Sequence, residues 1–91
     1  MREPNVINGT REDGRGEHKV YRFENGYGAS VVRGPYTYGG PKGLWELAIL
    51  KWNGEKCDLC YNTSITDNVM GWLKEEAVDE LLEKIEKLVQ E

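Results

Sequence analysis

The 91-residue chain has no apolar run near the ~20 residues that a bilayer span requires, and Met1-Arg2-Glu3-Pro4 is not followed by the apolar stretch of a secretory leader. It therefore reads as a soluble, cytoplasmic protein with no membrane partner. Ligands for metal or redox chemistry are scarce: there are two cysteines and one histidine. A structural zinc takes four ligands, and beyond Cys57 and Cys60 only His18 is on offer, on the far side of an expected hairpin. A redox Cys-x-x-C places its first thiol at a helix N-terminus, whereas Cys57-Asp58-Leu59-Cys60 reads as a strand whose positions three apart face opposite ways. Both thiols are expected to be structural, with no metal and no cofactor. His18 has no Ser, Cys or Asp at a spacing that suggests a triad, so no catalytic residue is assigned and no enzyme is expected.

A broad excess of basic charge is missing too. The formal net charge is −4 and the pI about 5.0, which points away from a general nucleic-acid binder. The balance is uneven along the chain: residues 1–56 hold nine Lys/Arg against seven Asp/Glu, and residues 57–91 hold three against nine. Glycine is plentiful, but Gly26-x-Gly28 and Gly39-Gly40-x-x-Gly43 precede strand-like runs, whereas a phosphate-cradling loop opens a helix. Gly28 is better read as a bulge or a point of close packing.

A chain this short supports one core. Residues 1–18 mix charges and glycines around the single apolar pair Val6-Ile7 and read as a flexible arm, which leaves 19–91 as one α+β domain. Two β-prone runs flank Asn25-Gly26 and two more flank Asn53-Gly54, the signal of two hairpins and hence of a four-stranded antiparallel meander. A two-residue Asn53-Gly54 loop sets Leu50 opposite Cys57, Ala48 opposite Leu59 and Leu47 opposite Cys60. Both faces are then partly apolar while one helix covers only one of them, which leaves room for an exposed apolar strip; the face around Leu47 and Ile49 is a candidate for it. Thr66 is placed to cap a short helical turn over 66–72 that Gly71 ends or kinks. Over 75–90, Ala77, Val78, Leu81, Leu82, Ile85, Leu88 and Val89 share one arc of a helical wheel opposite the acidic residues, so a C-terminal amphipathic helix packs on one sheet face.

Two surfaces are candidates for binding. The connection from Gly34 to Gly43 is long for so small a domain, and it is rich in Tyr and Gly with Arg33 and Trp45 at its flanks. Tyr36, Tyr38, Trp45 and Arg33 are candidate anchors, because rigid rings supply contact area at little entropic cost. The competing reading folds Tyr36 and Tyr38 back over the open sheet face as core. Glu76, Asp79 and Glu83 on the helix form an acidic face that steers a basic partner, or else a plain solvated face.

The segments Tyr21–Arg33, Tyr38–Gly40, Gly43–Leu50 and Tyr61–Leu73 resemble short accessory proteins of bacteriophages and prophages, over roughly residues 19–90. That resemblance implies the cytoplasm of an infected bacterium and a setting that includes inhibitors of bacterial immunity, anti-CRISPR proteins among them. It brings no catalytic residues. The expected function is thus a phage-encoded binding protein that inhibits a host defence protein with a basic surface, such as a CRISPR nuclease. The alternative is a small-ligand binder that sequesters a signalling nucleotide, with Tyr36, Tyr38 or Trp45 stacked on the base and Arg33 or Lys42 on phosphate.

Overall fold

The computed structural model describes residues 1–11, 14–66 and 68–89. Its architecture is α+β: an antiparallel sheet backed on one face by a C-terminal helix. The strands are β1 (Ile7–Thr10), β2 (Glu17–Arg22), β3 (Tyr27–Arg33), β4 (Trp45–Asn53), β5 (Lys56–Leu59) and β6 (Met70–Leu73). A single 3₁₀ turn (Gly40–Lys42) precedes β4, and the helix α1 runs from Glu75 to Glu86. The strand order is β1-β2-β3-β4-β5, with β6 also paired to β4. Among the described residues six strands replace the four expected.

Both additional strands come from segments read differently in the sequence. The expected arm carries β1, whose Ile7 pairs with Val20 and Thr10 with Glu17, and β2 begins within the arm at Glu17. Segment 66–72 is not a helical turn. Thr66 Oγ1 accepts from the Asn68 N–H at 3.1 Å and closes a tight turn, after which the chain enters β6. Asp67, within that segment, lies outside the described residues.

Each Asn-Gly does mark a hairpin, although neither register is that of a loop centred on the dipeptide. In the first, Gly26 N–H bonds Phe23 O at 3.1 Å and Phe23 N–H bonds Tyr27 O at 2.8 Å, a three-residue loop with Gly26 at φ 88. In the second, Asn53 pairs with Lys56, so the loop is Gly54-Glu55 and Leu50 faces Leu59 rather than Cys57. This shift of two residues preserves which side chains share a face.

The core lies between the helix and the face carrying Tyr21, Ala29, Val31, Trp45, Leu47 and Ile49. The helix inserts Val78, Leu82 and Ile85, one face at i, i+4 and i+7. Leu47 and Ile49 are therefore fully covered. The open face is the other one, with Val20, Ser30, Val32, Ala48, Leu50 and Trp52. There the Trp52 indole lies over Gly28 and donates to the Tyr21 carbonyl at 3.2 Å, while Arg22 stacks on its ring at 5.1 Å. A Cβ on Gly28 would come within 2.6 Å of Trp52 Nε1, which fulfils the close-packing reading of that glycine.

The helix ends at Glu86, short of the expected position 90, and Val89 is exposed; Gln90 lies outside the described residues. Its last carbonyls are met from the first hairpin. Asn25 Nδ2 donates to the carbonyls of Ile85 (2.8 Å), Glu86 (3.0 Å) and Leu88 (3.0 Å), while its Oδ1 accepts from Tyr27 N–H at 3.0 Å. One amide thus closes the turn and caps a helix C-terminus whose acceptors have no partner within the helix. Asn25→Ala should cost about 1–3 kcal/mol in urea unfolding. Asn25→Asp should be worse than Ala, because it keeps the turn acceptor but presents a carboxylate to the carbonyls.

Tyr21 is buried and donates its hydroxyl to the Arg2 carbonyl at 2.6 Å. Burial, reinforced by Asp79 and Glu3, pushes its phenol up to about 12 from 10.0. Between these two values the unfolded chain binds fewer protons than the native one, so stability present below pH ~10 falls as the pH rises toward ~12. Melting temperatures taken from pH 8 upward should show this decline, and Tyr21→Phe should remove this component of it.

Candidate functional site

The connection between β3 and β4 is a closed ladder of turns. Thr37 is buried, and its Oγ1 accepts from Gly34 N–H at 3.0 Å and donates to Gly34 O at 3.1 Å. Gly40 N–H bonds Thr37 O at 3.0 Å, and Leu44 N–H bonds Gly39 O at 3.0 Å. Buried Thr37 alternates with outward Tyr36 and Tyr38, which are 75% and 64% exposed. The two rings do not fold back as core. Arg15 Nη1 donates to the Tyr36 hydroxyl at 3.3 Å.

This loop is fastened to β6. Trp72 N–H donates to Tyr38 O at 3.1 Å, and Tyr38 N–H donates to Glu46 Oε1 at 3.2 Å. The fit allows no side chain at the two glycines that meet there: a Cβ on Gly39 would lie 2.8 Å from Trp72 Cα, and one on Gly71 would lie 2.4 Å from Tyr38 Cβ. Met70 and Leu73 both pack against the core, yet residues three apart in a regular strand face opposite sides. The strand accommodates both with a shift in pairing between Trp45↔Leu73 and Leu47↔Met70, and Trp72 takes φ 58 within it. That left-handed position usually goes to glycine. Trp72 holds it with its side chain 60% exposed.

The other anchors read from the sequence are differently placed. Trp45 is 2% exposed, a core residue whose Nε1 has no hydrogen-bond partner among the described residues. Arg33 stacks on the Trp45 ring at 4.1 Å, pairs with Glu17 and donates to Gly43 O at 3.3 Å. It serves to lock the loop, and Trp45 offers a partner no ring surface. Lys42 is exposed on the 3₁₀ turn. Trp72, missed because four residues cannot distinguish a strand from a helical turn, is a further exposed ring, tied to the loop of Tyr36 and Tyr38 through its backbone; Tyr61 is exposed elsewhere on the chain.

The acidic helix face is partly engaged within the molecule. Asp79 accepts from the Arg2 backbone N–H at 2.9 Å and lies 3.8 Å from the Met1 ammonium, and the Arg2 guanidinium pairs with Glu86. Glu83 pairs with Lys87 at 2.8 Å, a hydrogen bond that lowers the carboxyl below its ordinary value. Glu76 makes no hydrogen bond or ion pair among the described residues. It follows Trp72 closely through Lys74, whereas Glu83 lies about 10 Å further along the helix.

A groove of about 510 Å³ crosses the open sheet face between Arg11, His18, Glu46 and Val69, with His18 Nε2 3.1 Å from Ser30 Oγ. Cys57 is exposed and Cys60 buried, with the Cys60 thiol donating to Asn62 Oδ1 at 3.1 Å. Among the described residues no three His, Cys, Asp or Glu side chains converge as a metal site would need. Among the described residues no helix is long and apolar enough to cross a membrane. Compared with known proteins, the chain matches no family model, no curated protein and no solved structure.

The two tryptophans should separate in mutagenesis. Trp45→Ala opens a core cavity and should cost about 3–5 kcal/mol in chemical unfolding. Trp72→Gly relieves a left-handed backbone that costs a side chain roughly 1–2 kcal/mol, so stability should stay within about 1 kcal/mol of wild type.

Proposed function

We propose that the protein is a binding protein that inhibits a host protein by occupying one of its functional surfaces, in the setting of a phage-encoded product acting against bacterial defence. The observation that carries this reading is the trio Tyr36, Tyr38 and Trp72, exposed on backbone already fixed by hydrogen bonds and glycine contacts. Large exposed rings contribute little to the core, and rings presented on ordered backbone lose little further freedom on binding. A non-glycine residue held at positive φ with its side chain in solvent fits a position kept for contact rather than stability.

The acidic helix contributes less steering than its sequence suggests, because Asp79 and Glu86 are engaged by the N-terminal residues and Glu83 by Lys87. Glu76, which has no hydrogen bond or ion pair among the described residues, is the acidic group left to meet a basic rim on the partner. The nucleotide-sequestering alternative loses two of its named groups, since Trp45 is buried and Arg33 is paired with Glu17. It retains Tyr36, Tyr38 and Lys42.

Affinity capture from the bacterial host with the wild-type chain, followed by titration of the captured protein, tests this reading. Tyr38→Ala and Trp72→Gly should each weaken binding by roughly thirtyfold, the effect of about 2 kcal/mol at a hot spot, with stability within about 1 kcal/mol of wild type. Wild-type affinity in both variants would remove the aromatic end from consideration. Release of a nucleotide from purified protein, with no captured protein, would favour the alternative.

A further inference from the structure

Among the described residues three strands pair with a neighbour on one side only, β1, β5 and β6, and β6 is already met by the loop before β4 through the Trp72 N–H to Tyr38 O bond. In β5, Cys60 N–H bonds Ile49 O at 2.8 Å, and Asp58 and Lys56 pair with Lys51 and Asn53. The alternation of an antiparallel ladder then turns the backbone groups of Cys60, Asp58 and Lys56 toward β4 and those of Cys57 and Leu59 outward. All four β5 residues are exposed, and Leu59 is 52% exposed on the open sheet face. Lys56 and Asp58 share the opposite face.

An isolated lysine on an edge discourages strand addition. Lys56 is not isolated, because Asp58 stands two residues away on the same face with the opposite sign. When this edge meets its own copy antiparallel about a two-fold axis, only a few registers bring the outward groups of Cys57 into a hydrogen-bonded pair. One opposes Lys56 with Lys56 of the partner subunit, and another opposes Asp58 with Asp58 of the partner subunit. The register between them opposes Cys57 with the partner subunit's Cys57, and it faces Lys56 with the partner subunit's Asp58 twice over. Opposite charges across strands are favourable and like charges are not. Charge alone therefore selects one register. The edges of β1, Ile7-Asn8-Gly9-Thr10, and of β6, Met70-Gly71-Trp72-Leu73, carry no charge and have no such selector.

We propose that β5 is a self-association edge, which takes the β5 of a second copy in the register centred on Cys57 and joins the two sheets into one. The association is isologous and closes at two subunits, because each β5 edge is consumed by the other. Leu59 and the Cys57 thiol sit on the open face at the seam, and the two Cys57 Cα atoms would stand about 5.5 Å apart, as in any hydrogen-bonded antiparallel pair.

Sedimentation equilibrium of the full chain over a wide concentration range tests the proposal. The wild type should show a monomer–dimer equilibrium. Lys56→Asp and Asp58→Lys should each raise the dissociation constant about tenfold or more, and the double reversal should restore it, because opposite charges again face each other. In a Cys60→Ser background a short bismaleimide should link two copies through Cys57, and Cys57→Ser should abolish the link. This second measurement stands even if a reversal variant fails to fold by circular dichroism. A wild type that stays monomeric up to ~1 mM, a dimer indifferent to both reversals, or a dimer that yields no Cys57 link would each overturn the proposal.

Discussion

Everything in this fold is arranged along β4. Its nine residues give one edge to β3 and divide the other between two strands, β5 at Leu50–Asn53 and β6 at Trp45–Leu47. A chain that has used half of an edge must leave it after Leu59 and return to the other half at Met70, eleven residues on. The returning strand is short and must bury both Met70 and Leu73, and the local shift that permits this pushes Trp72 into solvent. Only Lys74 separates β6 from the helix, so the same strand also sets where α1 begins and which of its faces meets the sheet. The aromatic end, the helix and the open face are consequences of one strand holding three partners.

Much of this was legible in the sequence. Both hairpins announced themselves through Asn-Gly, because few other dipeptides tolerate positive φ so readily. The helix was legible because twelve residues repeat an apolar spacing more than three times. The registers were not, since the dipeptide marks a turn without deciding whether glycine closes a two-residue loop or supplies the bulge of a longer one. β1 escaped notice because Asn8, Gly9 and Thr10 have little strand character and pair only where β2 offers an edge. β6 escaped because four residues show no period.

Trp45 and Trp72 show the limit on the site itself. Each follows a glycine-containing segment and stands next to a leucine, so composition treats them alike. Their fates diverge because Trp45 begins the central strand facing the helix, while Trp72 occupies the shifted pairing opposite it. Distinguishing core from contact surface requires knowing which strand pairs with which, information that depends on residues far apart in the chain. The acidic helix makes a similar point about charge. Its row of carboxylates looks solvent-facing on a helical wheel, yet Arg2 crosses from the other end of the chain to engage Glu86 and stack on Phe23 at 4.9 Å.

The Asn25 amide joins residues 60 or more positions apart, from a turn that forms locally to a helix end that follows nearly everything else. A helix of twelve residues is marginal in isolation, so α1 gains its order from a surface that must already exist. The expected order of assembly therefore puts the β2–β3 hairpin and its pairing with β4 first, with the helix docking once that hairpin can receive its last carbonyls. Closing contacts over so many residues carries a loop-closure cost that only the completed sheet repays. Until α1 arrives, the row from Tyr21 to Ile49 stands open to water, and that interval is when the nascent chain is most exposed to aggregation.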